Sequence, residues 1–424
     1  MKDFFGWERL LLGATLLSLL FTLVSISLEQ IFLAFALVFW IVLLVQKERA
    51  IAFPAFFWPL LAYVALSLIA TLTSKSIPRS LADDKGMLIY LLVPIVMAAF
   101  TRRDEFDLAY VAVFISAAVS ALYSFGYFAV VFKGRLDTAH RVHAFMSHYM
   151  TQGGVMLLFC SIALAFAFFK RGRARLLWSA GLALGAAALL LTLMRSGWIG
   201  IGVALCVLLA LWRPKLILLV PVLAVLVYFA SPASIKARIL SIFSLQGYSN
   251  AERVEYARVG LEIIKEYPLL GTGPKTVSIV FQDPKYGLSD LARRNVHLHD
   301  NLLQIAAERG IVTLLAWLAF IAAAFVSLLR LLRSAKAKDP ALYAAAAGAL
   351  AALAAFFVAG FMEYNFGDAE VATLLLFIIT LPFAMERAIE RHPERSEGSP
   401  SGQDEIATSS RQSAPPRNDN RSMN

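Results

Sequence analysis

The feature that most constrains this chain is a series of apolar blocks, which recur from near the N-terminus to about residue 386. Most blocks are roughly 15 to 25 residues long, and about 20 apolar residues in a helix cross the ~30 Å hydrocarbon core of a bilayer. Only 16% of the residues are charged, whereas soluble proteins carry roughly a quarter. The sequence therefore predicts an all-α polytopic membrane protein.

We predict twelve transmembrane helices joined mostly by short turns. The predicted spans are residues 9–27, 30–46, 51–72, 86–100, 107–131, 151–169, 176–194, 197–212, 215–230, 308–329, 341–361 and 370–386.

Lysine and arginine alternate from loop to loop along the chain. If the N-terminus is cytoplasmic, the basic loops after spans 2, 4, 6, 8 and 10 are all cytoplasmic as well, including the run 170–175. Cytoplasmic loops of membrane proteins are enriched in these residues. We therefore expect both termini in the cytoplasm, and the net charge of +10 needs no nucleic-acid partner to explain it.

The spans divide the chain into four predicted parts. Residues 1–230 hold transmembrane helices 1–9, residues 231–307 form one large helical loop on the outer side, and residues 308–388 hold helices 10–12. Residues 389–424 are rich in Ser, Pro, Asn and Arg. Such a segment buries little apolar surface, so we predict a disordered cytoplasmic tail.

Two helices are predicted inside the large loop. Ser249 to Glu252 reads as a capping box that opens the first helix, whose apolar face would comprise Val254, Ala257, Leu261 and Ile264. The second begins near His299 and Asp300 and ends at Gly310, leading into span 10. Residues 271–276 superficially resemble a phosphate loop but lack its spacing, so we interpret them as a turn.

Three residues could carry chemistry at the outer membrane surface. Arg195 lies on a very short turn between two spans, where an arginine is costly unless it snorkels or is paired. Arg253 lies near the start of the first loop helix, where a cation opposes the helix dipole. His299 lies at a helix N-terminus, which favours a neutral imidazole and so a general base. The alternatives are a snorkelling arginine at Arg195, an ordinary surface arginine at Arg253 and a capping or structural histidine at His299.

Metal binding is not predicted. The pairs His140 and His143, and His297 and His299, match no specific spacing for a metal site. Cys160 and Cys206 lie inside apolar blocks, so neither a disulfide framework nor a thiolate site is expected.

The large loop resembles that of the bacterial O-antigen ligase and polymerase family. The resemblance covers Arg195 to Thr313 and rests on Glu252-Arg253, on residues 267–274, on His297-Leu298-His299 and on Leu303-Gln304. The ligase branch has a sequence motif in which a histidine is followed by a small polar residue, then nine residues, a glycine, two further residues and a small residue. His299, Gly310 and Thr313 fit this spacing, whereas Asp300 stands where Asn, Ser or Gln is usual.

The resemblance implies an O-antigen ligase with an integral-membrane glycosyltransferase architecture. Such an enzyme would transfer a glycan from undecaprenyl diphosphate to a sugar hydroxyl of lipid A-core on the periplasmic side of the inner membrane, without metal or nucleotide. We expect inversion at the anomeric carbon, because the sequence offers no likely nucleophile for a covalent intermediate. Our hypothesis assigns leaving-group stabilisation to Arg195 and Arg253 and the general base to His299. His297 and Arg258 would join the two arginines in substrate binding.

Other functions remain open at this stage. A polymerase would use the same donor with a second lipid-linked glycan as acceptor, and some relatives attach glycans to proteins. A transporter or flippase for lipid-linked glycans is a third possibility. Transporters usually keep ionisable groups near the membrane midplane, whereas the notable charges here gather at the outer face.

Overall fold

The computed structural model describes residues 6–47, 52–242 and 248–391, and in these ranges the regular structure is helical throughout. Sixteen α-helices are described. They are α1 (Trp7–Phe21), α2 (Ile26–Val45), α3 (Phe57–Leu72), α4 (Ile77–Asp84), α5 (Leu92–Ala99), α6 (Arg103–Val130), α7 (Tyr149–Phe169), α8 (Gly172–Leu191), α9 (Arg195–Trp212), α10 (Val220–Ala230), α11 (Ala233–Leu240), α12 (Tyr248–Glu266), α13 (Val277–Val280), α14 (Asn301–Lys338), α15 (Pro340–Ala359) and α16 (Ala369–Arg391). Short 3-10 helices cover Lys85–Leu91, Pro214–Leu219, Pro284–Tyr286, Ala292–Arg294 and Asn365–Gly367.

Eight of the described helices are long and apolar enough to cross a membrane, namely α2, α6, α7, α8, α9, α14, α15 and α16. This confirms the all-α polytopic fold. The other four predicted spans fall on shorter helices, namely α1, α3, the 3-10 helix Lys85–Leu91 with α5, and Pro214–Leu219 with α10. The number twelve therefore stays a prediction.

Helices α7, α15 and α16 form the centre of the bundle and bury most of their residues. Alanine dominates α15, and small side chains let neighbouring helices approach closely. Gly348, for example, lies against Ile162 and Ala165 of α7. By contrast, α10 has no buried residue, so its apolar surface is available to lipid.

The large loop has a small apolar core of its own. Tyr256, Val259 and Ile263 of α12 are buried in it, and the ring of Tyr256 stacks on Phe281. The predicted apolar face was wrong, because Val254 and Leu261 are exposed. The aromatic contact of Tyr256 decides which side of the helix is buried.

Some predictions fall at or beyond the limits of the described residues. The side chain of Ser249 lies outside them, so the capping box stays a prediction. Helix α12 already includes Tyr248, which puts Arg253 in its second turn rather than its first. Helix α16 continues to Arg391, so residues 389–391 belong to a helix and not to the predicted tail. Residues 392–424 lie outside the described part of the chain.

Candidate functional site

Helix α14 begins in the large loop and is broken at one glycine. Asp300 is its N-cap, and the carboxylate accepts a hydrogen bond from the backbone N–H of Leu303 at 2.9 Å. Gly310 interrupts the helix with φ 83° and ψ 166°. This confirms the predicted short helix between residue 300 and Gly310. Asp caps a helix as well as Asn or Ser does, so Asp300 can fill the capping role of the usual residues.

The turn after α12 closes over this break. The backbone N–H groups of Thr272 and Gly273 donate to the carbonyls of Ala307 and Glu308 at 2.9 and 2.8 Å. These two carbonyls lie in the last turn before the break, where the helix supplies fewer partners. The glycine-rich turn therefore fixes the first segment of α14, before the break. The segment is a turn, as its sequence predicted.

His299 is held against a buried carboxylate. Its Nδ1 lies 3.1 Å from Oε2 of Glu363, which is only 4% exposed. The backbone of His299 is in the left-handed region with φ 54°, a conformation that costs energy in a non-glycine residue and is common at functional sites. The surrounding contacts thus impose one position on this imidazole.

Asparagine side chains lock the loop that carries Glu363 onto α14. The amide nitrogen of Asn301 donates to Oδ1 of Asn365 at 2.7 Å, and its Oδ1 accepts from the N–H of Phe366 at 3.1 Å. The backbone N–H of Asn301 also donates to the carbonyl of Gly360 at 2.8 Å. Asn301 therefore fixes the loop that carries Glu363 relative to the neighbouring His299.

The Glu363 carboxylate is ionised. Burial alone raises its pKa, but the hydrogen bond from His299 and the electrostatic effect of the neighbouring His299, His297 and Arg253 outweigh burial and lower the pKa to about 2. An ionised carboxylate accepts a proton-bearing Nδ1, and this leaves Nε2 of a neutral His299 as the proton acceptor.

His297 lies beside His299, with ring centroids 4.3 Å apart. Burial lowers the pKa of His297 to about 4, although the charge of Glu363 opposes this. The His297 ring is therefore neutral at physiological pH. Its Nδ1 is buried and has no hydrogen-bond partner among the described residues.

Arg195 is buried at the first turn of α9, with only 6% of its surface exposed. Its guanidinium donates to the carbonyl of Ser241 and to Oδ1 of Asn250, both at 2.7 Å. These partners belong to the large loop, so Arg195 anchors the loop to the helical bundle. None of these described partners carries a negative charge.

Arg253 lies next to the histidine–glutamate pair. Its Nη2 donates to the carbonyl of Met362 at 3.0 Å, one residue before Glu363. Burial lowers the pKa of Arg253, and the charge of Glu363 opposes this effect. The structure therefore brings Arg253, His297 and His299 together around one carboxylate.

Two further arginines extend the positive charge, and sequence reasoning missed both. Arg238 of α11 is 8% exposed and donates to the carbonyl of Leu193 at 3.2 Å. Burial and the nearby guanidiniums of Arg141 and Arg195 lower its pKa to about 10. Arg141 lies over the ring of Tyr149 at 4.5 Å. We call Arg141, Arg195, Arg238 and Arg253 the arginine cluster.

Arg258 has a different environment. It follows Arg253 by five residues, so it points to another side of α12. Its guanidinium pairs with Glu262 at 2.9 Å and donates to the carbonyl of Tyr286 at 2.7 Å. These contacts stay within the large loop, and its assignment to substrate binding remains a prediction.

Three described side chains could hold a metal ion. Donor atoms of His297, His299 and Glu363 all lie within 4.8 Å of one another. The other histidine pair does not converge in this way, because His140 binds Asp137 at 2.9 Å and His143 contacts the carbonyl of Met146 at 2.8 Å. Any metal chemistry would thus compete with the base function of His299.

The arrangement combines a positively charged surface with a proton acceptor. Buried guanidiniums bind phosphate oxygens through charge-assisted hydrogen bonds, and a neutral imidazole oriented by a carboxylate can take a proton from a hydroxyl. Such a site suits transfer of a group from a phosphorylated donor to a hydroxyl.

The comparison with known families agrees with this chemistry. Residues 180–318 match the family described as O-antigen ligase. The family implies a glycosyltransferase-like membrane enzyme of lipopolysaccharide biosynthesis. No curated protein matches the chain at a significant level.

The matched O-antigen ligase segment contains most of the site. Arg195, Arg253, His297 and His299 lie inside it, whereas Glu363 lies beyond its end. Glu363 had one sequence signal, since it is an acidic residue in a short loop between two apolar blocks. That signal does not specify a partner, because the loop is 64 residues away from His299.

Proposed function

We propose that this protein is an O-antigen ligase of the bacterial inner membrane. It transfers a glycan from undecaprenyl diphosphate to a sugar hydroxyl of lipid A-core, with inversion and without metal. The active site faces the periplasm and both termini are cytoplasmic. The observation that carries the proposal is the His299–Glu363 pair beside the arginine cluster.

The arginine cluster suits the diphosphate of the donor. A lipid diphosphate brings several negative charges to the membrane surface, where the buried Arg195 and the half-buried Arg253 can bind it. Electrostatic stabilisation of a leaving group by fixed cations can replace a metal ion. We assign Arg195 and Arg253 to stabilising the departing diphosphate, with Arg238 and Arg141 adding to the field.

His299 acts as the general base in a single displacement. Its Nε2 takes the proton of the acceptor hydroxyl, whose oxygen forms a bond to the anomeric carbon of the donor sugar. The bond from that carbon to the diphosphate oxygen breaks at the same time, and its electron pair leaves with undecaprenyl diphosphate. Glu363 stabilises the imidazolium that forms. One displacement of this kind inverts the anomeric configuration.

The motif spacing supports a ligase over a polymerase. His299, Gly310 and Thr313 follow the ligase pattern, and the break of α14 gives Gly310 a structural reason to be there. The alternative function is an O-antigen polymerase, which would use the same site with a lipid-linked glycan as acceptor. A lipid-linked glycan transporter is the second alternative.

An in vitro transfer assay tests the proposal. Purified protein in detergent is mixed with undecaprenyl-diphosphate glycan, lipid A-core and a chelator, beside His299→Ala and Arg253→Ala. His140→Ala is the matched control, since His140 pairs with Asp137 in another loop. We expect glycan on lipid A in the wild type and control, and none in the two site variants.

The other outcomes separate the alternatives. Longer lipid-linked chains with unmodified lipid A would identify a polymerase. Well-folded protein that makes neither product from several glycans would overturn glycosyl transfer and favour transport.

A further inference from the structure

A polar cavity lies beside His297. Its volume is about 300 Å³, and its walls come from the 3-10 helix Lys85–Leu91, the start of α14 and the loop before α16. Of the described residues, His297 lines this cavity, whereas Arg195, Arg253 and His299 do not. His297 therefore borders the cavity and also contacts the ring of His299.

The cavity walls have the composition of a saccharide site. Rings of Tyr90, Tyr364 and Phe366 line it, and Tyr90 stacks on Phe366 with centroids 5.9 Å apart. Aromatic rings offer apolar faces to the C–H faces of a sugar. The volume is at the lower end of the range for small-molecule sites, about 300 to 1,000 Å³. It suits a short saccharide and not a lipid chain.

Charged groups complete the cavity at defined positions. Asp83 accepts from the buried Arg309 at 2.8 Å and pairs with Lys275 at 3.5 Å. Asp83, Lys275 and Arg309 all line the cavity. A few convergent polar groups on an apolar wall are what fixes the orientation of a small ligand, and sugar hydroxyls both donate to carboxylates and accept from ammonium groups.

The geometry of inversion decides which substrate uses the cavity. In an inverting transfer the hydroxyl attacks the face of the donor sugar opposite the leaving group. The arginine cluster holds the leaving diphosphate, so the attacking hydroxyl must approach the anomeric carbon from the side away from these arginines. His297 borders the cavity and contacts His299, whereas Arg195 and Arg253 do not line the cavity.

We infer that this cavity is the subsite for the acceptor saccharide, an inference that rests on the proposed function. The sugar whose hydroxyl is glycosylated lies between the aromatic rings and the Asp83–Lys275 pair, with the hydroxyl at the His297 edge of the cavity, toward His299. The diphosphate and lipid of the donor stay outside the cavity.

Gly86 offers a direct test. It lines the cavity, is exposed and has no heavy atom within 4 Å of a Cβ added to it. Gly86→Phe should therefore fold and fill part of the cavity. Gly126→Phe is the matched control, since Gly126 is equally open but does not line the cavity. Lys275→Gln serves as a second variant that removes one charge without adding bulk.

The measurement is the KM for lipid A-core and, separately, for the lipid-linked donor. We expect Gly86→Phe to raise the acceptor KM by about tenfold or more, Lys275→Gln to raise it less, and the donor KM to stay unchanged. Equal melting temperatures and a monodisperse elution peak check folding.

Each other result has a distinct meaning. An unchanged acceptor KM in both variants, with active wild type, would overturn the acceptor assignment alone. A raised donor KM would assign the cavity to the donor glycan instead and overturn it too. A wild type that transfers no glycan would overturn the proposed function, and the acceptor assignment with it.

Discussion

Nδ1 of His299 lies 3.1 Å from Oε2 of Glu363, although 64 residues separate them in the chain. The pair joins the loop before α14 to the loop between α15 and α16, and Asn301 holds these two loops together. A proton on Nδ1 is fixed by the carboxylate, so Nε2 is the free base.

Glu363→Gln should lower kcat with little effect on either KM. The amide keeps the size of the side chain but loses the charge that orients and stabilises the imidazolium. Loss of such a carboxylate costs about 10²-fold or more in rate. The check is steady-state kinetics with both substrates varied. Glu255→Gln is the control, because Glu255 binds Ser289 within the loop. Wild-type kcat in Glu363→Gln would contradict the orienting role.

Arg238→Gln should weaken donor binding. Arg238 is buried near Arg141 and Arg195, so its charge acts on any anion in the arginine cluster. Hydrogen bonds and charges of this kind contribute about 1.5 to 3 kcal/mol, so we expect the donor KM to rise by about tenfold or more. Lys236→Gln on the same helix is the charge-matched control. Arg238→Lys should restore part of the affinity, and an unchanged donor KM in Arg238→Gln would remove Arg238 from the site.

Gly310→Ala should destabilise the protein and abolish transfer. Gly310 has φ 83°, and a Cβ there would collide with the carbonyl of Leu269. A left-handed backbone and a steric overlap together cost about 2 to 4 kcal/mol. The break also positions the helix that begins beside His299. Thermal unfolding in detergent is the measurement, and Gly13→Ala, an open helical position, should leave stability unchanged or slightly raised. A Gly310→Ala protein as stable as the wild type would refute the steric argument.

Hydropathy and the alternation of charge were sufficient to predict a polytopic helical bundle, because lipid imposes both on the sequence. They were not sufficient to predict the buried side of α12. Val254 and Leu261 are apolar and helically spaced, yet they are exposed, while Tyr256 is buried against Phe281. Near a membrane an apolar stripe can face protein or lipid, and composition does not separate the two.

The residues of the candidate site were also predicted only in part. His299 and Arg253 were identified from residues that are close in sequence and resemble a family pattern. Glu363, Arg238 and Arg141 were missed because each comes from a different connection, and tertiary packing alone brings them to the site. Long-range pairs of this kind leave no periodic signal in a single sequence.

Protonation of two side chains, His297 and Asp368, should change the stability of the protein in opposite directions. Burial holds the pKa of His297 near 4, below its ordinary 6.5, so the folded wild type loses stability as pH falls from about 6.5 to 4. Burial and the charge of Glu363 raise the pKa of Asp368 to about 7. Protonation of Asp368 therefore stabilises the folded state as pH falls from about 7 to 4.

The two variants separate these effects. Relative to the wild type, His297→Gln should become more stable as pH falls through this window, because it lacks the unfavourable protonation. Asp368→Asn should have its largest advantage above pH 7 and lose it on acidification. Melting temperatures between pH 4 and 8 give the differences. Parallel curves for the wild type and both variants would contradict the assignment of either group.

Zinc should inhibit transfer, and a chelator should not. Donor atoms of His297, His299 and Glu363 lie within 4.8 Å of one another, and three protein ligands suffice for many zinc sites. A bound ion would occupy the imidazole that must accept the proton of the acceptor. We expect added Zn²⁺ to lower the rate and His297→Gln to weaken this inhibition by about tenfold or more, as loss of a ligand reduces metal affinity. Activity that is lost on chelation and restored by Zn²⁺ would instead identify these residues as a catalytic metal site, and the general-base role of His299 would have to be abandoned.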